Sequence, residues 1–372
     1  MKNWGITAVS IAVVAILGYL AYTDTSISDL VYTAKNTAAL VISATPTPST
    51  AGKLTVSAVS SKTNPRDVVA GATEFTFAEF AFDAKKSDED IAVSSITLTP
   101  VISKKGNASD LAQCQISKEG SRMYLASTGV LIPNQDITFD LSGKLSIPKG
   151  TVQTMAIRCS VTVNPKSVSG STFSFKIKKL PDGVKATGLT SGGATKITLS
   201  SANGPTITLR TNGELKVVLD SSTPKASKVA CGQSKVKIAK FKISAMYEGI
   251  ILNSLRFALS GTAIPIYDDR DVVSFTLYDD IYYSVGVGVL GGGSKKTTTS
   301  TIDRLLIIPK GGQRILTLTA NILSSEYPAC QPGKTLGIDY NGYFDAIGAT
   351  SGSRIPVSNS AKTSAPKITL IK

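Results

Sequence analysis

Residues 75–84 read FTFAEFAFDA, and 161 positions later residues 236–245 read VKIAKFKISA. In both stretches the apolar residues alternate, shift phase once and alternate again. This is the pattern of a half-buried β-strand that carries one extra residue. We therefore predict the same strand twice, with a β-bulge around Ala78-Glu79 and Ala239-Lys240, or a crossing between sheets at these positions.

The same offset relates much longer parts of the chain, and this indicates duplication of a whole domain. Solenoid repeats are too short to explain it, because their units span only about 20–50 residues. Within each copy, alternating Val, Ile, Thr and Phe are separated by turn residues about every eight to twelve positions, as in antiparallel sandwiches. We predict an all-β fold of two tandem immunoglobulin-like antiparallel β-sandwiches, at residues 54–210 and 214–372, behind an N-terminal hydrophobic helix.

The element Ile-Pro-Lys-Gly occurs at residues 147–150 and again at 308–311. Proline cannot donate to a sheet ladder, and glycine supplies flexible backbone before the next strand. We predict a hairpin at each place rather than an active-site loop. The glycines at 291–293 are interpreted as another hairpin tip, because a phosphate-binding loop requires Gly-Lys-Ser/Thr at fixed offsets before a helix.

The N-terminal segment at residues 6–22 is apolar and uncharged. Its length approaches the ~20 residues that cross a bilayer, so we predict membrane contact through it. Because Lys2 precedes it and Asp24 follows it, the positive-inside rule places the start in the cytoplasm. Residues 1–24 are predicted to be a retained transmembrane signal-anchor or, alternatively, a cleaved signal peptide. The expected location is the cell membrane with extracytoplasmic C-terminal domains, or the cell surface after secretion.

Residues 25–53 join this segment to the first sandwich. Residues 28–44 can continue the helix as a juxtamembrane extension, and TPTPSTAG at 45–52 is typical of a semi-rigid extended spacer. A hydrophobic helix with an amphipathic continuation before a β-rich head resembles type IV pilins and archaeal pilus subunits. Gly5-Ile6 resembles a prepilin cleavage junction, although Ser10 stands where bacterial pilins carry glutamate. The resemblance implies an alternative function as a filament subunit that assembles through its N-terminal helix.

The chain is basic, with 40 Lys+Arg against 26 Asp+Glu and a net charge of +14. Such a balance can indicate a polyanionic partner. However, lysines such as Lys176, Lys178, Lys240 and Lys242 stand singly between apolar residues, as solvent-side lysines of strands do. We predict a solvated basic surface and no nucleic-acid partner. Protein partners, anionic envelope polymers and a homo-oligomer or filament remain open.

Four cysteines in a chain predicted to be exported indicate disulfides, and four allow three pairings. Cys114 aligns with Phe275 and Cys159 with Ala320, both at predicted inward positions. A core disulfide in one copy would then replace a large–small apolar pair in the other. The remaining two cysteines fall in predicted turns. Free thiols or a metal site are the alternatives to our predicted pairs, which are Cys114–Cys159 and Cys231–Cys330.

The chain contains no histidine. This excludes Ser-His-Asp and Cys-His catalysis and removes a common ligand of zinc, copper and iron. Clustered carboxylates at residues 88–90 and 279–280 and at Asp268, Asp269 and Asp271 remain as candidates for acid chemistry or calcium. No EF-hand or glycine-rich calcium repeat accompanies the last three, so we interpret them mainly as solvated turn acids and only weakly as a calcium site. We predict no enzyme, no catalytic residue and no cofactor.

Both copies carry short strand motifs, including VVAG at 68–71 and FAFDA at 80–84, and a later Ile-Thr-Leu strand. Together with the anchor and spacer they resemble surface proteins of uncultured prokaryotes, notably small-genome candidate phyla. The resemblance implies immunoglobulin-like sandwiches displayed on, or shed from, the cell surface. The predicted function is a non-enzymatic structural and adhesive surface protein. The alternatives are the filament subunit and a carbohydrate- or calcium-binding surface module.

Overall fold

A computed structural model of the 372-residue chain provides the structure. The predicted membrane segment and almost all of the spacer lie outside the residues that it describes. The described residues are 52–59, 67–121, 123–128, 131–132, 135–262, 271–281, 283–291, 296–324, 326, 330–357 and 361–372.

The first half of the described chain forms β-strands, with a single 3₁₀ turn at Ala108–Asp110. Alternation of buried and exposed side chains along these strands follows the sequence pattern. The strands are β1 (Lys53–Ala58), β2 (Asp67–Val69), β3 (Phe75–Asp83), β4 (Ile91–Ile102), β5 (Leu111–Lys118), β6 (Tyr124–Ser127), β7 (Ile137–Ile147), β8 (Val152–Val161), β9 (Thr172–Ile177), β10 (Val184–Gly188), β11 (Lys196–Ser201) and β12 (Ile207–Arg210).

The second half repeats this series of strands. It gives β13 (Glu214–Leu219), β14 (Lys228–Ala230), β15 (Val236–Met246), β16 (Ile250–Gly261), β17 (Asp271–Tyr278), β18 (Ser284–Gly291), β19 (Thr297–Ile308), β20 (Gln313–Ile322), β21 (Thr335–Gly348) and β22 (Ile368–Ile371). The all-β prediction is confirmed for the described residues, while the predicted N-terminal helix falls outside them.

The two halves share one strand order. In the first half, one sheet runs β11-β1-β3-β8-β5-β6 and the other runs β10-β4-β9-β12-β2, with β7 also pairing with β4. In the second half, the path β13-β15-β20-β17-β18-β19-β16-β21-β22-β14 is continuous, because Gly286 of β18 pairs with Ile302 of β19. Apart from β10 and β11, every strand of the first half has its counterpart at the same place in the second. This is the arrangement expected of a duplicated sandwich.

Each half encloses its own hydrophobic core. One core consists of residues between Leu54 and Leu209, and the other of residues between Leu215 and Leu370. The inward-facing aromatic residues of both copies are fully buried and lie near the centre of each core. We refer to these two units as the first and second sandwich.

The bulge in β3 lies one residue earlier than the predicted Ala78-Glu79 position. The register shifts between Thr76 and Ala78, and an equivalent shift occurs in β15 around Ile238. The extra residue is Phe77, which is buried beside the buried Ala78. Two consecutive buried side chains are possible because the residue pair of a bulge opposes a single residue on the partner strand.

The predicted hairpins at the Ile-Pro-Lys-Gly elements are wrong. Strand β7 pairs with β4, whereas β8 pairs with β3 and β5 in the other sheet. The turn at 148–151 therefore carries the chain from one sheet of the sandwich to the other, and the turn after β19 does the same. Proline and glycine identify a turn, but they do not determine whether the strands on its two sides pair with each other.

The structure contains the two disulfides Cys114–Cys159 and Cys231–Cys330, one in each sandwich. At the positions of the first disulfide, the second sandwich has Phe275 directly opposite Ala320 on neighbouring strands. A glycine makes room for this ring, since a Cβ added at Gly288 would lie 2.3 Å from Cζ of Phe275. The Phe275–Ala320 pair that stands in place of the disulfide therefore also depends on a third strand, β18, which carries Gly288.

Candidate functional site at the junction of the two sandwiches

The chain passes from the first sandwich to the second through only three residues. Strand β12 ends at Arg210 and β13 begins at Glu214, so Thr211, Asn212 and Gly213 form the whole connection. A connection this short leaves little room for independent movement of its two sides. The side chains around it determine how the two sandwiches are held.

A buried carboxylate fixes the end of this connection to the second sandwich. Glu248 is 1% exposed and lies between β15 and β16. Its Oε1 accepts the backbone N–H of Gly213 at 2.6 Å and the hydroxyl of Ser351 at 2.8 Å. Its Oε2 accepts the backbone N–H groups of Thr350 at 3.0 Å and Ser351 at 2.9 Å. Four donors thus compensate the charge for its removal from water.

The first sandwich contains the same clamp around Glu89. Its Oε2 accepts the backbone N–H groups of Thr190 at 2.9 Å and Ser191 at 2.8 Å, and its Oε1 accepts the Ser191 hydroxyl at 2.7 Å. The backbone N–H of Ser191, its hydroxyl and the neighbouring N–H groups hold the pKa of Glu89 below its ordinary value. We call the two arrangements the glutamate clamps. Each one ties a glycine at the entry of a sandwich to a distant turn, which follows β10 in the first sandwich and β21 in the second.

A cation–π contact crosses the junction, and an ion pair within the first sandwich supports it. The Arg210 Nε donates to Oδ1 of Asp67 at 2.7 Å, within the first sandwich. The guanidinium Cζ of Arg210 lies 4.5 Å from the centroid of the Tyr247 ring, which belongs to the second sandwich. Asp67 therefore orients the arginine for stacking, and the planar guanidinium suits both interactions.

Two backbone features allow this close approach. Tyr247 has φ of +71°, a left-handed conformation that costs free energy for a residue with a Cβ. Gly71 of the first sandwich, with φ of +76°, lies so near the second that an added Cβ would be 2.8 Å from the carbonyl oxygen of Thr350. The turn held by Glu248 is thus also the turn that contacts the first sandwich.

A cavity of about 200 Å³ lies beside these contacts. Polar groups predominate among its lining residues, which are Ser169, Arg210, Asn212, Gly213, Glu214, Tyr247 and Pro356. The arginine is already engaged by Asp67 and Tyr247, and the buried glutamate is saturated with donors. The charged groups of the junction are therefore occupied in holding its geometry.

The predicted calcium candidates lie outside the residues whose side chains the structure describes. Asp268 and Asp269 lie outside the described residues, and Asp271 begins β17, where the structure describes only the backbone. Of the acids at 88–90, Glu89 is the buried clamp, and Asp90 accepts the backbone N–H of Lys149 at 2.8 Å. Within the described ranges, no group of three or more Cys, Asp and Glu side chains could hold a metal ion.

Neither glutamate clamp was predicted from the sequence. Their signal is the recurrence of GLTSGG at 188–193 as GATSGS at 348–353, each preceded by a glutamate about a hundred residues earlier. The clamp residues recur at offsets of 159 and 160 rather than 161, because the turn before Glu248 is shorter than the one before Glu89. In the part of the chain that the structure describes, no helix is long and apolar enough to cross a membrane.

No protein-family model matches the sequence, and no curated protein matches it. Among solved structures, the chain is similar to the BSP domain of a biofilm associated protein, with 9% identity, a TM-score of 0.26, and coverage of 88% of this chain and 68% of that one. It is also similar to the serine-rich repeat protein Srr2 from Streptococcus agalactiae, with 8% identity, a TM-score of 0.20, and coverage of 85% and 91%. The collagen adhesin of S. aureus gives 9% identity, a TM-score of 0.16, and coverage of 87% and 94%. TM-scores this low carry no weight for function.

The lowered pKa of Glu89 predicts a specific dependence of stability on pH. The folded state favours the carboxylate, so its contribution is complete above the ordinary glutamate pKa of about 4.3 and is lost as pH falls through the lowered value. We expect Glu89→Gln to be less stable at neutral pH and to lose part of the acid dependence of the first sandwich. Urea unfolding at pH 7 and at several acidic pH values measures this. The exposed neighbour Asp88 is the control, and an unchanged slope in Glu89→Gln beside Asp88→Asn would contradict the prediction.

Proposed function

We propose that the protein is a non-enzymatic structural and adhesive component of the cell surface. In this proposal, residues 1–24 anchor it in the membrane, residues 25–53 act as a spacer, and the two immunoglobulin-like sandwiches stand outside the cell. The construction of the junction carries the proposal. A protein that transmits a contact from its outer part to the membrane needs domains that keep their relative orientation.

The junction supplies this coupling from both sides. Arg210 and Asp67 present a fixed guanidinium to Tyr247, and Glu248 ties Gly213 into the second sandwich. Solvent weakens the attraction in partly buried ion pairs and stacked arginines less than it does in fully exposed ones. Three connecting residues with these contacts restrict bending more than a polar linker of the same length would.

The disulfides support an extracytoplasmic location. Disulfides persist in oxidising compartments and are rare in the cytosol of mesophiles. Each bridge lies within one sandwich and closes a long loop, with sequence separations of 45 and 99 residues. In chain-entropy models, cross-linking a loop of this length stabilises the folded state by roughly 4–5 kcal/mol, which is a large part of a domain's net stability. Such stabilisation suits domains exposed to the environment outside the cell.

The location is tested with the full chain in cells, using an antibody against the second sandwich. We expect staining of intact cells and retention of the protein in the membrane after carbonate extraction. Cells that display the chain should also resist detachment from surfaces under flow better than cells that lack it. Staining only after permeabilisation would overturn the surface location, and unchanged attachment would overturn the adhesive role. Cleavage of the mature chain after Gly5 would favour the filament alternative.

The coupling is tested by removing the stacked pair across the junction. We expect Arg210→Ala with Tyr247→Ala to broaden the distribution of distances between dyes placed on the two sandwiches. The matched control is Arg256→Ala with Tyr343→Ala, which removes a cation–π pair of the same 4.5 Å geometry inside the second sandwich. Single-molecule energy transfer measures both variants. Equal distributions in the junction variant and the wild-type chain would contradict the coupling.

A further inference from the structure

The duplication provides an internal comparison for the surface of the second sandwich. Four of its exposed side chains on β18 and β19 are large and apolar: Val287 is 57% exposed, Val289 is 41% exposed, Leu305 is 73% exposed and Ile307 is 42% exposed. Such residues are common singly, but several at one place indicate an interaction surface.

In the first sandwich, the positions equivalent to Val287, Leu305 and Ile307 are polar and exposed. Ser127 pairs with Gln115 of β5, and Val287 pairs with Thr276, the residue of β17 that is equivalent to Gln115. Ser127 and Val287 therefore occupy the same place in the two copies. Lys144 and Ser146 flank Leu145, which pairs with β4. Leu305 and Ile307 flank Leu306, which pairs in the same way with β16, so the two pairs of positions are equivalent. The same fold therefore forms without apolar side chains at these three positions, and folding does not explain them.

These side chains lie on two adjoining strands of the second sandwich. Strands β18 and β19 are joined there by the Gly286–Ile302 pair. Next to this pair, the guanidinium of Arg304 stacks 4.9 Å from the centroid of the exposed Tyr283 ring. We call this surface, formed by Tyr283, Val287, Asp303, Arg304, Leu305 and Ile307, the β18–β19 corner.

The charges of the corner indicate which partner it fits. Asp303 and Arg304 are adjacent, exposed and of opposite sign, where the first sandwich has Ser142 and Gly143. A two-fold axis through the corner would place each aspartate opposite the arginine of the other copy, with the apolar side chains buried between them. A surface that carries both charges beside an apolar centre is self-complementary in this way.

We propose that the β18–β19 corner is the interface between two copies of this chain. The interface is isologous, buries Val287, Leu305 and Ile307 at its centre, and pairs Asp303 with the Arg304 of the second copy at its rim. The first sandwich stays outside the interface. This proposal goes beyond the surface role and does not depend on adhesion.

The first test uses a photo-cross-linker in the full-length chain. p-Benzoylphenylalanine is placed at position 305 and, as the matched control, at the equivalent position 144. We expect a covalent dimer from position 305 only, with both linked peptides from the second sandwich. No dimer, equal dimer from both positions, or linkage of position 305 to lipid or to another protein would overturn the proposal.

The second test replaces the apolar residues with those that the first sandwich already tolerates. The dissociation constant of the full-length chain, measured by analytical ultracentrifugation, should rise at least about tenfold, because a few central residues dominate such interfaces. Thermal unfolding should stay unchanged, which separates loss of association from loss of folding. A dimer of unchanged affinity would overturn the proposal. The substitutions are Val287→Ser, Leu305→Lys and Ile307→Ser.

Discussion

Replacing Gly288 with alanine is expected to destabilise the second sandwich by about 2–3 kcal/mol, the cost of overpacking a filled core. The added Cβ would lie 2.3 Å from Cζ of Phe275 and 2.6 Å from Cε1 of the same ring. Phe275 is buried opposite Ala320, so a shift of its ring would have to displace other core side chains. Calorimetry on the full chain, compared with wild type, measures the change in the transition of the second sandwich.

A double-mutant cycle identifies the ring as the cause. In a Phe275→Ala background, which itself leaves a cavity, Gly288→Ala should cost far less than in the wild-type background. In the first sandwich, Ser127→Ala is the comparison, because this exposed residue lies at the edge of the sheet that contains the disulfide. If Gly288→Ala costs the same with and without the Phe275 ring, steric overlap is not its origin.

Because the Phe275 ring needs the space beside Gly288, a phenylalanine–alanine pair alone is not an equivalent replacement for the disulfide of the first sandwich. The backbone N–H of Thr128 bonds to the carbonyl of Cys114 at 2.8 Å, so a residue with a side chain stands opposite the first disulfide. Placing Phe and Ala at positions 114 and 159 therefore adds a ring without the glycine that accommodates it in the second sandwich. We expect this variant to be well tolerated only when Thr128→Gly is also present.

Alternation of apolar residues predicted the strands, and the duplication predicted that both halves share one strand order. Phe80 and Phe82 face the core because strand side chains alternate with a period of two, and this period is visible in the sequence itself. The cysteine pairs followed from the repeat, since each copy shows which positions face inward. What the repeat did not predict is the partner of each strand, as the turn at Pro148 demonstrates by joining two sheets.

The junction could not be predicted from local patterns. Glu248 stands in a short Tyr-Glu-Gly turn between two apolar strand segments, where a buried glutamate and a solvated turn acid have the same local sequence. Its donors come from Gly213 and from residues about a hundred positions later, so only the folded chain brings them together. The left-handed conformation of Tyr247 is equally invisible, because sequence preferences for positive φ favour Gly, Asn and Asp.

Removing the carboxylate of Glu248 is expected to cost the second sandwich about 3–4 kcal/mol, because buried donors left without an acceptor are penalised more than a hydrogen bond is worth. Glu248→Ala leaves the backbone N–H groups of Gly213, Thr350 and Ser351 without their acceptor. It also frees the connecting residues from the second sandwich, so the distance distribution between the sandwiches should broaden as it does when the stacked pair is removed. Calorimetry and single-molecule energy transfer measure the two effects in the same variant.

The control for Glu248 is a second acid in the same junction. Glu214 is half-buried and lines the cavity. Glu214→Gln changes the same net charge and should leave both stability and distances close to those of wild type. Glu248→Gln should fall between wild type and Glu248→Ala, since its amide keeps one acceptor oxygen but turns donors towards the N–H groups that the carboxylate satisfied. If Glu248→Ala is no less stable than Glu214→Gln, the clamp does not hold the junction, and the coupling rests on Arg210 and Tyr247 alone.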